Sequence, residues 1–138
     1  MYLLDNNTFR NFINDEPNTV RRLAECQENV FLSSVAAEEI LTGVISGINR
    51  ARSSRNSLSL PQVHKYLAET IQDIHLFSLL TYSDEAESIY QTFTPAILRI
   101  GPQDCRIAAQ AMAHGMIVIT RNLRDFQAIG APCEDWSA

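Results

Sequence analysis

Four short apolar runs punctuate the chain, at residues 2–4, 30–33, 74–77 and 116–120. None alternates in polarity, so each predicts a strand buried on both faces. Tyr2-Leu3-Leu4 ends abruptly at Asp5. A fifth, shorter strand is expected around 133–136. Between these runs the period becomes helical. Residues 8–13 predict a helical turn, and Pro17 sits well as an early residue of a helix over 17–26. Over 35–48, Ala37, Ile40, Leu41, Val44 and Ile48 share one face, with Ala36, Gly43 and Gly47 as a small-residue stripe beside it. Such a stripe predicts tight helix packing. Residues 50–59 are polar and basic, which suits a loop or a frayed helix end, and 60–72 reads as the next helix.

Ser83 is a good N-cap for a helix over 83–98, with Glu85 and Glu87 in its early turns and Pro95 kinking or ending it. Pro102 opens another helix that stops at Gly115, a favourable C′ glycine. Strand and helix thus alternate, and the strands are of the doubly buried kind. The expected fold is α/β: a three-layer sandwich with a central, mostly parallel sheet of four to five strands flanked by helices. With 138 residues, no internal repeat and no linker, the chain is expected to form one domain over 1–138.

Composition narrows the function classes. Apolar types make up 46% and charged types 20% of the chain, which excludes wholesale disorder. No apolar run reaches the ~20 residues of a membrane span, and the start of the chain lacks a basic n-region, so a cytoplasmic protein without a membrane role is expected. The net charge of −5 argues against a nonspecific nucleic-acid coat, though not against a local basic patch. Cys26, Cys105 and Cys133 form no CxxC pair and read as buried free thiols. His64, His75 and His114 lack metal-ligand spacing, Met112 and Met116 read as core, and Trp136 as a packing anchor. Neither a GxSxG elbow nor a glycine-rich phosphate loop is present. Aspartyl phosphatase and receiver chemistry fit poorly: position 7 is asparagine and Lys65 is the lone lysine.

In an open parallel sheet, ligands gather beyond the carboxyl ends of the strands. Asp5 follows the first strand, and Arg121, Asn122 and Asp125 follow the fourth. Asp104 lies in the first turn of the helix feeding that strand, and Glu38 and Glu39 lie on the helix after the second. Carboxylates gathered in one cleft repel each other unless a hard divalent cation such as Mg²⁺ neutralises them. Such a cation activates water and stabilises charge on a phosphoryl group, which points to phosphoester hydrolysis. Each residue also has an ordinary role. Asp5 and Asp104 suit strand-end and helix-dipole positions. Asn122 and Asp125 suit turns and caps, and periodicity does not choose between Glu38 and Glu39.

The chain resembles the PIN-domain nucleases, and most closely the VapC-type endoribonuclease toxins of type II toxin–antitoxin modules. Tyr2-Leu3-Leu4-Asp5-Asn6-Asn7 is similar to the family's L-L-D-T-N, and Ser33-Ser34 with Glu39-Ile40-Leu41-Thr42-Gly43 to its S-x-x-x-x-E-L-x-x-G. Asp104 to Ala111 is similar to D-x-x-I-A-A-x-A, and Val118 to Phe126 to V-T-R-N-x-R-D-F. The resemblance implies Mg²⁺- or Mn²⁺-dependent cleavage of RNA by metal-activated water, with Asp5, Glu39 and Asp104 as metal-binding carboxylates. Many members carry an acid in a T-x-D pattern where this chain has Asn122; Asn122 offers a carbonyl oxygen without charge, and Asp125 is expected to compensate. Asn6 replaces the usual threonine and is expected to keep a hydrogen bond to Asp5. Arg121, Arg124, Arg50, Arg52 and Arg55 are candidates for RNA backbone contacts, or simply solvated arginines. Kinship further implies a homodimer and a cognate antitoxin. The competing expectations are a PIN-like RNA- or protein-binding module with impaired catalysis, and a housekeeping RNA-processing nuclease.

Overall fold

The computed structural model describes residues 1–53 and 58–138. Five strands, β1 (Tyr2–Leu4), β2 (Val30–Ser33), β3 (Ser78–Leu80), β4 (Ile117–Ile119) and β5 (Cys133–Glu134), form one sheet in the order β3-β2-β1-β4-β5. Every pairing is parallel. Register is continuous across the centre, with Tyr2 opposite both Val30 and Ile117, and Leu4 opposite both Leu32 and Ile119. Leu3, Leu4, Leu32, Val118 and Ile119 are fully buried, the result expected of strands covered on both sides.

Among the described residues eight α-helices flank the sheet: α1 (Asn6–Ile13), α2 (Pro17–Cys26), α3 (Ser34–Arg52), α4 (Leu60–His75), α5 (Asp84–Tyr90), α6 (Pro95–Leu98), α7 (Pro102–His114) and α8 (Leu123–Ile129). The chain steps from β1 to β3 in one direction and from β3 to β5 in the other. Right-handed crossovers therefore carry α1–α4 to one face and α5–α8 to the opposite face. Side chains from both layers and the sheet share one core, and Val44, Ile48 and Val63 form a smaller one between α3 and α4. No helix among the described residues is long and apolar enough to cross a membrane.

The caps explain the boundaries. Ser33 accepts from the backbone N–H groups of Val35 and Ala36, which starts α3 directly after β2. Ser59 and Gln62 form a reciprocal capping box at the start of α4. Gly115, at φ 63°, ends α7 in the left-handed conformation that glycine alone adopts without cost. Trp136 is buried, edge-on to Tyr2 with ring centroids 5.1 Å apart.

Several expectations need correction. Residues 74–77 do not form a strand: α4 continues to His75, because Ile74 extends the buried series Val63, Leu67, Thr70, and the strand lies at Ser78–Leu80. The helix expected over 83–98 is two helices; α5 ends at Tyr90, and Pro95 begins α6 rather than kinking a longer one. Gly43 and Gly47 pack against no backbone; a Cβ there would meet only arginine side-chain ends, so the tight seam belongs to buried Ala36 and Ala37. Met112 is 39% exposed, on the outer side of α7, whereas Met116 is core. Of the three free thiols only Cys105 is buried; Cys26 and Cys133 are half-buried. The basic stretch 50–59 is helical through Arg52, and Arg55 lies outside the described residues.

Candidate active site

The direction of the chain reverses between β1 and β4, which opens a crevice at their carboxyl ends. Asp5 stands there. It is buried, it caps α1, and its Oδ1 accepts from Thr8 N–H at 2.9 Å. Its own N–H donates to Ile119 O, which ties the cap to β4. The Thr8 hydroxyl donates to the same carbonyl at 2.8 Å. Thr120, fully buried one residue beyond β4, favours the charged form of the Asp5 carboxylate, and its Oγ1 accepts from Asn122 N–H at 2.9 Å.

Glu39 comes from the second turn of α3, and its placement follows from the Ser33 cap. That cap is braced: Ser33 Oγ donates to Gln110 Oε1 at 2.5 Å, and Gln110 Nε2 donates to Leu80 O at 3.0 Å. One buried amide thus joins β2, β3 and α7. Asp104 comes from the first turn of α7. Asn122 precedes α8 but caps it with no side-chain bond, which frees its amide. From Nδ2 it donates to Asp104 Oδ2 at 3.3 Å and to Asp125 Oδ2 at 2.7 Å.

Neighbouring carboxylates act on Glu39 and on Asp104. Burial raises the pKa of Asp5, against the hydrogen bonds from Thr120, Thr8 and Asn7 that favour its charged form. Burial also raises Glu39, and the charges of Asp104, Asp5 and Glu38 raise it further, while Arg10 lowers it. Asp104 is raised by burial and then by Asp5 and Asp125, with the Asn122 bond opposing. Burial together with like charge in a cleft is a physical mark of a candidate functional site.

Glu38, the neighbour that periodicity could not separate from Glu39, is exposed and accepts from Gln103 Nε2 at 2.9 Å. Asn6 does not bond to Asp5 as expected; its Oδ1 accepts from Arg10 Nε at 3.0 Å. Arg121 and Arg124 are exposed beside Asn122, and the charge of Arg121 acts on Glu16. Arg50 and Arg52 are exposed in the last turn of α3, about 16 and about 20 Å along the helix from Glu39, and are not brought to the acids. Sequence reasoning missed Thr8, Thr120 and Arg10. Thr120 was findable, since it follows β4 as Asp5 follows β1; nothing in the local pattern marked Arg10.

The donor set fits a hard cation: carboxylate and amide oxygens, with neither imidazole nor thiolate among them. Among the described residues no three His, Cys, Asp or Glu side chains make by themselves a group able to hold a metal ion. An open arrangement of this kind suits Mg²⁺, which takes one or two carboxylates and keeps several waters.

Comparison with known proteins agrees with this geometry. The family model described as PIN domain matches residues 2–132. A curated relative, the tRNA(fMet)-specific endonuclease VapC of Salmonella typhimurium, is 27% identical over 98% of this chain and 97% of its own. The crystal structure of DNA-bound VapBC from Salmonella typhimurium contains a chain with TM-score 0.76 and 27% identity, covering 98% of this chain and 97% of that one. The structure of FitAB bound to an IR36 DNA fragment gives TM-score 0.78 at 24% identity, over 100% and 96% of the two chains, a likeness of fold. A five-stranded parallel sheet with acids gathered where its chain direction reverses, matched by the family model along nearly its whole length, establishes that the chain belongs to the PIN-domain family.

Proposed function

We propose that this protein is a divalent-metal-dependent endoribonuclease and the toxin of a type II toxin–antitoxin pair, acting as one unit over residues 1–138 in the cytoplasm. The observation that carries the reading is the supply of Asp5 from the end of β1, Glu39 from α3 and Asp104 from the start of α7, three separate elements, to one crevice. Similarity to a VapC endonuclease supports RNA as substrate and makes initiator tRNA the first to try.

Asp5, Glu39 and Asp104, with waters completing the shell, would hold Mg²⁺ or Mn²⁺, which would supply Lewis-acid polarisation of the phosphoryl group and a nucleophile at neutral pH. The Thr8 N–H holds the Asp5 carboxylate in one orientation, and Thr8 and Thr120 favour its ionised form. Asn122 keeps Asp104 and Asp125 apart with a neutral amide between them. Arg121 and Arg124, exposed beside the crevice, are available to meet the RNA backbone. Exposed Ile71 and Leu79 line an apolar groove with Ile74 and Phe77. That surface supports a protein partner, whether a second copy or an antitoxin.

The test is incubation of purified protein with bacterial initiator tRNA and with a mixed elongator tRNA pool, in Mg²⁺, in Mn²⁺ and in EDTA. Cleavage is expected with either metal, and none in EDTA or with Asp5→Asn. Cleavage that persists in EDTA refutes metal dependence. A second reading, a binding module with impaired catalysis, draws on Asn122 at a position where a charge is usual. Retained RNA affinity with no cleavage and no Mn²⁺ uptake in a titration would favour it.

A further inference from the structure

We propose that Arg10 is a phosphate anchor for the substrate: its guanidinium, propped by Asn6 beside Glu39, binds an oxygen of the RNA backbone next to the bond that is cut. The inference rests on the nuclease reading above and adds a residue that the family-like motifs do not contain.

Three observations place the group. Arg10 lies in the last turn of α1, where a cation normally serves the carboxyl end of its own helix. Its side chain instead turns back toward the start of α1, where Nε donates to Asn6 Oδ1 at 3.0 Å. That start is the Asp5 cap. A terminal nitrogen, Nη2, lies 3.9 Å from where a Cβ on Gly43 would stand. Gly43 is one helical turn beyond Glu39 on the same face of α3, so the guanidinium lies over the face of α3 that carries Glu39.

Yet among the described residues Arg10 makes no ion pair within 4 Å; those present involve Arg21, Arg22 and Lys65. With Nε engaged, both terminal NH₂ groups stay available to a ligand. Phosphate is the ligand that suits them. A phosphodiester entering this crevice meets three acids, and a fixed cation at the rim offsets that repulsion. The planar fork matches two phosphate oxygens, and the Asn6 prop removes rotamer freedom that binding would otherwise have to remove.

The experiment uses a fluorescently labelled single-stranded RNA ten-mer of random sequence, with Ca²⁺ present to limit turnover. Anisotropy titrations at several salt concentrations compare wild type, Arg10→Ala, Arg10→Lys and Asn6→Ala. Mn²⁺ affinity and Tm are measured on each. Arg10→Ala should weaken RNA binding about tenfold and reduce the slope of log K against log salt by roughly 0.7, one lost phosphate contact. Tm and Mn²⁺ affinity should hold. Arg10→Lys should recover part of the binding and Asn6→Ala should lose part. In tRNA cleavage, the loss should fall on KM rather than kcat.

Unchanged affinity and slope in Arg10→Ala overturn the proposal. So does a loss matched by weaker Mn²⁺ binding, which would make Arg10 a positioning residue for Glu39. If wild type binds the ten-mer but cleaves no tRNA in Mg²⁺ or Mn²⁺, the nuclease reading fails, while the Arg10 comparison still decides the anchor.

Discussion

Asp104 Oδ2 accepts a hydrogen bond from Asn122 Nδ2 at 3.3 Å, which joins the start of α7 to the start of α8. The neutral amide stands where a carboxylate would add a further negative charge. Asn122→Asp should therefore raise Mn²⁺ affinity about tenfold, since the charge count of the ligands sets affinity in sites of this type. It should also lower Tm in EDTA, because it adds repulsion that no cation offsets. Calorimetric titration and thermal melts read both effects; an unaltered Mn²⁺ affinity would remove Asn122 from the site.

Asp5→Asn and Asp104→Asn should each lower tRNA cleavage by at least about 100-fold, the upper range seen for groups that merely support a metal ligand. Both variants should stay folded; in Asp5→Asn the new side-chain amide oxygen can still accept from Thr8 N–H and keep the α1 cap. Circular dichroism alongside the cleavage assay separates lost chemistry from lost structure. Near-normal rates in either variant would exclude that acid.

The acids also predict a pH dependence with a definite sign. Asp104 is raised in the folded chain, so across the window from its ordinary pKa upward the folded state keeps a proton that the unfolded state has lost. Its contribution to stability therefore falls as pH rises. Glu16 runs the other way, since Thr19 holds its carboxylate in the charged form. A difference between two proteins isolates the cluster: in EDTA, the Tm of Asp104→Asn relative to wild type should climb from about pH 4 toward neutrality. Saturating Mn²⁺ should reverse the order, with wild type the more stable. A flat difference would mean that Asp104 is not strained by its neighbours.

Gln110→Leu should destabilise the fold by about 1–3 kcal/mol for each buried group left without a partner. Those groups are the Ser33 hydroxyl proton and the Leu80 carbonyl. Urea unfolding measures the loss. Stability equal to wild type would show that the amide bridge contributes nothing.

Trp136→Ala should cost about 3–5 kcal/mol, because the indole is 4% exposed, meets Tyr2 edge-on and carries the Arg22 guanidinium 5.2 Å above its ring. A loss below about 1 kcal/mol would show the chain end to be dispensable to the core.

Much of this was legible from residue order. Strands without alternation, Ser33 and Ser83 as caps, and Pro102 with Gly115 as the ends of α7 are local signals, and the structure keeps them. Residues 74–77 misled because a helix end and a strand start lie next to each other there, and an apolar run looks alike in both. Pro95 was ambiguous for a similar reason: the same ring that breaks one helix opens another. In the site, the acids were readable as strand-end and helix-start residues. The Asn6–Arg10 prop and the Ser33–Gln110 bridge were not, because a contact between two polar side chains leaves no period in the sequence.

The order of the strands also bears on when, during synthesis, the acid crevice can be assembled. Thr8 reaches Ile119 across 111 positions, and β1 lies beside β4 at the middle of the sheet. Asp5 cannot meet Asp104 until a nascent chain has released α7 and β4. A chain released only through β3 holds Asp5 without its partner from α7, so the acid crevice is completed late in synthesis.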